Sequence, residues 1–498
     1  MAKCEQNKSI RKYKAGGYMT VYLTLTLAVL LSLCLSMIEG ARSNAIILES
    51  EIACDISLNS VMAEYNRELM KQYNIFAIED SYGGSNASLD NTDAHLTGYL
   101  NNNFSANHFL GEFLNYRDFL GLEVESAATE GVLYLTDNNG EVFVRRAYEA
   151  IKDDIGLTLL SEIKEWTAQI ESNGLEELDV QGNMELLEDK VEAAQSNASP
   201  EDSEITEEIA EVDTDFVMTN PPAAFLNGLN CGIINLIVTD QNSLSKKSID
   251  SSKLIYSRMK SGNVNRGNLI LEDTNKVEEF IERFVFQEYL LRYMGQYKEE
   301  SDDDALKYQI EYIIAGHDSD RDNLDDVLTR IFAIRFAASY IYIRGDEEKK
   351  STAETLAAVL SYLTYTEEFK DLYKELFLMY WAGNEAVYDV RCLLEGNRVE
   401  LLKSKDSWHT SMFASGTDKY EGDESGLSYT DYLRIFMMLM TKEKLVGRAM
   451  DMVEANVRKT PGNSKFRIDA CIDTIQVFIK IQSTFGYNYS FRLKRKYE

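Results

Sequence analysis

The residues best suited to chemistry are charges embedded in apolar helical sequence. Glu385 and Asp389 in "WAGNEAVYDVRCLL" stand four positions apart, on one face of a helix. Two carboxylates so placed can work as acid and base when their environments push their pKa values apart. They can equally hold cations and pin neighbouring helices together. Arg391 follows in the same stretch, Glu311 lies inside "YQIEYIIAG", and Arg335 inside "IFAIRFAAS". An unpaired buried charge is costly, so these groups are expected to pair. The reading taken is a structural ion-pair network, with Glu311 bound to Arg335 or Arg391 and no catalytic residue.

"HDSDRDNLDD" places Asp318, Asp320 and Asp322 at alternate positions, the first three ligand positions of a calcium loop. Asn323 and Thr329 occupy the places of the loop's glycine and bidentate glutamate. The three aspartates are therefore weak metal candidates, and helix capping is the expected role. "SLSKKSIDSSKL" offers serine and lysine together without any flanking nucleophile motif, so it reads as a loop. No P-loop or dinucleotide fingerprint is present, and no cofactor is expected. The four histidines lack metal spacing, and the six cysteines show no CxxC.

The elements that must position these residues follow from pattern. Helical stripes run through Val327, Ile331, Ile334, Ala338 and Ile341, and through Leu376, Tyr380, Gly383, Val387, Val390 and Leu394. From about Lys276 to Val457 the chain reads as a helical lobe. Alternation over Leu122–Leu135 and at Val142 and Val144 predicts strands, with "TDNNGE" as a hairpin turn. "CGIINLIVTD" reads as a buried strand, and "GYNYSFRLKRKY" as a last one. Between Glu171 and Asp215 sixteen acids face one base, Lys190, and a linker or insertion is expected over 171–220.

Tyr18 to Ile38 contains no charge over 21 residues, enough for a helix to cross a bilayer. Lys3, Lys8, Arg11, Lys12 and Lys14 precede it, which places the N-terminus in the cytoplasm and the body outside. A net charge of −31 disfavours nucleic acid as a partner. The expected class is α+β: one N-terminal transmembrane helix extended outward to about Tyr73, a small antiparallel sheet, and a large mainly α-helical lobe. The segments are a basic leader (1–17), the span (18–38), an α+β region (39–170), the acidic stretch (171–220) and a helical extracytoplasmic domain (221–498).

"GGYMTVYLTLTLAVLLSLCLSMIEGAR" resembles the start of TadE/TadG-like pseudopilins of tight-adherence pili. That resemblance implies cleavage between Gly17 and Tyr18, where glycine lets the backbone extend for a peptidase. Tyr22 stands where such precursors place a glutamate. "LGLEVES", "NLIVTD", "LKYQIEYIIAG", "WAGNEAVYDVRCLLEGN" and "SYTDYLRIFMMLM" resemble an uncharacterised Firmicutes domain family associated with tight-adherence pilus genes. Together these imply a non-enzymatic envelope protein, single-pass in the cell membrane, with other pilus or envelope proteins as partners. A surface hydrolase using the lobe's carboxylates, and an envelope scaffold or sensor without a pilus link, are the competing readings.

Overall fold

The computed structural model describes residues 16–114, 120–172, 216–271, 279–413 and 422–497, apart from a few positions within those ranges. The expected class holds: one long apolar helix, a small antiparallel sheet and a large helical body. Helix α1 (Gly16–Met62) is long and apolar enough in its first part to cross a membrane, and it continues without a break into the body. It stops near Met62 rather than at Tyr73. Asn66 starts a separate helix α2 (Arg67–Tyr73), its side chain accepting the backbone N–H groups of Glu68 and Leu69 at 3.1 and 3.0 Å.

Strand β1 (Ile78–Glu79), helix α3 (Leu89–Leu114) and strand β2 (Leu122–Tyr134) follow. The expected hairpin after β2 does not form. Asn138, Asn139 and Gly140 do adopt positive φ (54°, 58° and 85°), but they turn the chain into helix α4 (Asp137–Ile151). Val142, Phe143 and Val144 are all buried there. A strand with one solvated face would have left Phe143 outside, so the apparent alternation was misleading.

Helix α5 (Thr158–Ser172) leads into the acidic stretch, most of which lies outside the described residues. Beyond it, Pro221 and Pro222 open helix α6 (Pro221–Asn230), where a missing N–H costs nothing. "CGIINLIVTD" is not a strand. It forms the one-turn helix α7 (Ile233–Ile237), with the Asp325 carboxylate accepting the Ile234 N–H at 2.9 Å. A short apolar run has no period by which to separate strand from buried helix.

The lobe then builds from α8 (Ile255–Ser261), α9 (Glu279–Tyr293), α10 (Gln309–Ala315), α11 (Asp320–Gly345), α12 (Glu347–Leu363), α13 (Lys370–Leu394), α14 (Tyr429–Leu439) and α15 (Lys442–Lys459). The α11 stripe is buried at Val327, Ile331, Ile334 and Ala338 but exposed at Ile341. Strands β3 (Cys471–Ser483) and β4 (Asn488–Lys496) end the chain.

β3 is the centre of the sheet. It pairs antiparallel with β2 (Leu122 opposite Ser483, Leu133 opposite Thr474), with β4 (Gln482 opposite Asn488) and with β1 (Ile78 opposite Ile472). The sheet therefore joins segments from both sides of the acidic stretch. One apolar core also holds Tyr73, Phe143 and Ile151 together with the lobe's helices. Ile475, Val477, Ile479 and Ile481 form the sheet's inner face, packed on Cys54, Leu58 and Val61 of α1 and Leu96 and Leu100 of α3. Cys54, Cys392 and Cys471 are buried thiols, and Cys34 and Cys231 are exposed; none forms a disulfide.

Candidate functional site

Two places were marked by the sequence: the carboxylates of the lobe and the exit of α1 from its apolar segment. In the lobe, α13 presents Glu385 and Asp389 one turn apart toward Arg335 of α11, as the spacing predicts. Asp389 Oδ2 accepts Arg335 Nε and Nη2 at 2.9 and 2.8 Å. The Arg335 Nη1 donates to the carbonyls of Glu400 and Leu401. The fourth member, Lys403, comes from the loop after α13. Its Nζ reaches Glu385 Oε1 at 2.5 Å, Asp389 Oδ1 at 2.8 Å and the Ser407 carbonyl at 2.7 Å.

The quartet is fully enclosed and carries two charges of each sign. Its remaining acceptors are filled as well. Glu385 takes the Thr410 N–H (2.8 Å), the Thr410 hydroxyl (2.7 Å) and the His409 N–H (3.1 Å). Burial pushes the Glu385 carboxyl up, but the His409 contact, Lys403 and Thr410 outweigh it and hold it down at about 2. Burial and the Glu385 charge push Asp389 the other way, against Arg335 and Lys403. Glu385, Asp389 and His409 also form a group with the spacing to hold a metal ion. The Lys403 ammonium already bridges both carboxylates, so a second cation there would meet it directly. With every acceptor engaged, the arrangement clamps the 395–413 loop onto α11 and α13.

Glu311 belongs to a different network. It pairs with neither Arg335 nor Arg391. Its Oε1 accepts the Tyr297 N–H at 2.9 Å and the Tyr429 hydroxyl at 2.7 Å, and Oε2 meets no hydrogen-bond partner. Burial raises its pKa to about 7, with the bonds from Tyr297 and Tyr429 opposing. Arg391 instead donates to the Leu236 carbonyl at 2.5 Å, tying α13 to α7. The three loop aspartates do not converge. Asp318 and Asp322 are exposed, whereas Asp320 is buried under the Ser245 hydroxyl (2.5 Å) and the N–H groups of Lys307 and Tyr308. α11 begins at Asp320, and its N-cap residue is Ser319 rather than one of the three aspartates.

At the other end, Gly17 and Tyr18 lie in the first turn of α1, so the expected extended backbone at Gly17 is helical instead. Where α1 leaves its apolar segment, the β3–β4 hairpin meets it. Glu39 accepts from the Tyr487 hydroxyl, and Ser43 bonds Tyr489 at 2.9 Å. Arg42 lies over the Phe485 ring at 4.1 Å and contacts Glu39 at 3.2 Å. These contacts join the end of the apolar segment to the sheet. Lys403 and the contact of this hairpin with α1 are the features that residue spacing did not reveal. Two lobe acids beside one embedded arginine call for a further cation, but nothing in "LLKSKDS" points to Lys403 rather than to Lys405.

No curated protein and no solved structure matches the chain. Residues 217–483, more than half of the chain, match the model of a family of unknown function (DUF5702), and the chain belongs to that family.

Proposed function

We propose that this is a non-enzymatic, single-pass membrane-anchored envelope protein, with its N-terminus in the cytoplasm and its body outside. We place it as a pseudopilin-like accessory component of a tight-adherence pilus or secretion assembly. The observation that carries the anchor reading is α1, one helix whose 18–38 segment is exposed and apolar while its 46–61 segment is packed under the sheet. Such a helix fixes the body's pose relative to the bilayer. Leu48, Ile52 and Ile56, four apart, stay exposed beyond the span and continue its apolar face, which suits lateral packing against a similar helix. The non-enzymatic reading is supported by the lobe's carboxylates. Glu385 and Asp389 are saturated by Lys403, Arg335 and Thr410, and Glu311 lies in a separate network.

A membrane-impermeant maleimide applied to intact wall-stripped cells tests the orientation. Cys231 is exposed on the body and should be labelled, while Cys4 should not. Labelling of Cys4 alone reverses the topology. N-terminal sequencing of the membrane fraction then separates a start at Tyr18 from an intact leader. A photo-crosslinker at Leu48 that captures no pilus subunit, in cells assembling the pilus, removes the pilus assignment and leaves a plain envelope anchor.

A further inference from the structure

On a chain of net charge −31, a groove among the described residues carries more bases than acids. It has a volume of about 380 Å³ and lies where α4 crosses the ends of β3 and β4. Arg145, Arg146 and Lys152 line the α4 side, and Lys494 and Lys496 the β4 side. Five bases thus meet two acids, Glu149 and Asp473, among the described residues. Both acids are already engaged: Asp473 Oδ2 accepts Arg146 Nη2 at 3.2 Å, and Glu149 pairs with Lys152. Leu133 and Val142 line it as well, and the Tyr497 ring closes one end, its hydroxyl bonded to the Met62 carbonyl at 2.6 Å.

The positive strip continues out of the groove. Lys496, Lys494 and Arg492 alternate along β4 and are exposed, opposite Thr474, Gln476 and Phe478 of β3. Residues two apart on a strand repeat every ~7 Å on one face. Lys480 and Arg492 flank the Phe478 ring at 5.9 and 5.4 Å. The exposed acids beside it, Glu123, Glu125 and Glu130, lie on β2, and Glu130 is bound by Arg492 at 2.7 Å. The charge is therefore sorted, with the bases along β4 and α4.

We infer that this groove and the β4 rail bind a linear phosphate-bearing polymer. Donors approach from two walls, which suits the tetrahedral oxygens of a phosphate better than a planar carboxylate. A carboxylate ligand would add only another copy of what Glu149 and Asp473 already supply. Lipid headgroups carry the same phosphate chemistry, but the groove end of the rail is out of their reach if α1 spans the membrane as proposed above. Tyr497 contacts α1 at Met62, 24 residues past Ile38, or about 36 Å along a helix. That is several Debye lengths at physiological salt.

The test uses the full chain in zwitterionic nanodiscs with three probes: inorganic polyphosphate, poly-L-glutamate, and vesicles containing phosphatidylglycerol. Polyphosphate should bind with an affinity that falls steeply with salt. Lys494→Gln with Lys496→Gln should weaken it by roughly tenfold and lower the salt slope by about two, one per lysine. Lys405→Gln with Lys444→Gln, exposed but away from the groove, should change neither. An unchanged thermal transition certifies the fold; if the pair fails that check, Arg492→Gln alone on the rail gives the same readout with a slope change of about one. Polyphosphate binding that ignores the groove variants overturns the site. Equal binding of poly-L-glutamate overturns the phosphate assignment, and capture of the vesicles in preference to polyphosphate overturns the polymer. None of these outcomes depends on the pilus assignment, which the crosslinking test addresses separately.

Discussion

Glu385 and Glu311 are both glutamates enclosed in the same helical lobe, yet their pKa values are pushed in opposite directions. Glu385 is held at about 2, whereas Glu311 rises to about 7. Burial acts upward on both, so burial does not explain the difference. Glu385 has an ammonium at 2.5 Å and three further donors, while Glu311 has one backbone N–H and one phenol. Neutral donors oppose the burial penalty only in part; a cation with a full set of donors reverses it. The lesson concerns reading charges from sequence. An acid inside an apolar helix announces that something must compensate it, and the compensation can be a counter-ion or a proton.

Removing the cation should break the comparison most severely. Lys403→Met keeps the stem's volume but strands Glu385 and Asp389 beside Arg335. It should cost about 3–5 kcal/mol, as for other buried pairs that lose one partner. Denaturant unfolding of the full chain in detergent measures it, with Trp381 and Trp408 as local reporters, their rings 5.9 Å apart beside the 403–410 loop. Adding Glu385→Gln should recover part of the loss. A Lys403→Met protein as stable as wild type would show that the quartet does not clamp the loop.

The second effect is on pH dependence, and the two glutamates should act in separate windows. Glu385 is depressed, so its stabilisation is present above its ordinary value of 4.5 and is lost as pH falls toward 2. Glu311 is raised, so the folded chain holds its proton while the unfolded chain releases it. Its effect is therefore full below pH 4.5, and stability declines between 4.5 and about 7, on the order of 3 kcal/mol in all. Glu311→Gln keeps an acceptor for Tyr297 and Tyr429 and cannot ionise. It should equal wild type near pH 4.5 and exceed it at pH 8. Asp451, also raised to about 7 by burial, leaves a residual slope in the variant. Identical pH profiles for the two proteins would place Glu311 among the ionised groups. Glu311→Ala should be worse than Gln at every pH, because the Tyr429 hydroxyl and Tyr297 N–H lose their acceptor, at about 1–3 kcal/mol for each buried group.

The sequence carried some of this and not the rest, for identifiable reasons. The apolar segment of α1 was legible from its length without a charge, and the α11 and α13 stripes and the Glu385–Asp389 face because a helix repeats every 3.6 residues over many turns. β2 was legible along its length, and β4 from alternation near the chain's end. β3 alternates just as plainly at Ile475, Val477, Ile479 and Ile481, yet it is not among the strands expected from the sequence. α4 and α7 were misread because a few buried residues in a row carry no usable period. Pairing partners were the least legible. Glu311 finds Tyr429, 118 positions away, and Arg335 finds Asp389 across 54, distances over which local spacing says nothing. The groove was invisible for the same reason: its bases come from residues near 145 and near 495, which meet only because β3 pairs with both β2 and β4.

The smallest expected effect isolates burial from contact. Lys374 Nζ lies 2.9 Å from Glu354 Oε2, nearly the 2.8 Å of Lys403 and Asp389. Both pairs bridge helix α13 to another segment, and both would count equally in a tally of salt bridges. The Lys374 pair is on the surface, where water solvates either charge when its partner is gone and salt screens the attraction. Lys370 also reaches Glu354, at 3.4 Å, and would take over part of the contact. Lys374→Met should therefore leave the unfolding midpoint unchanged within measurement scatter, at low and high salt alike. Lys403→Met, the same substitution at the same contact distance, should shift it strongly under both conditions. If the two variants cost the same, the separation of the quartet from water is not what makes it matter, and the contrast between Glu385 and Glu311 would need a cause other than the donors that surround each carboxylate.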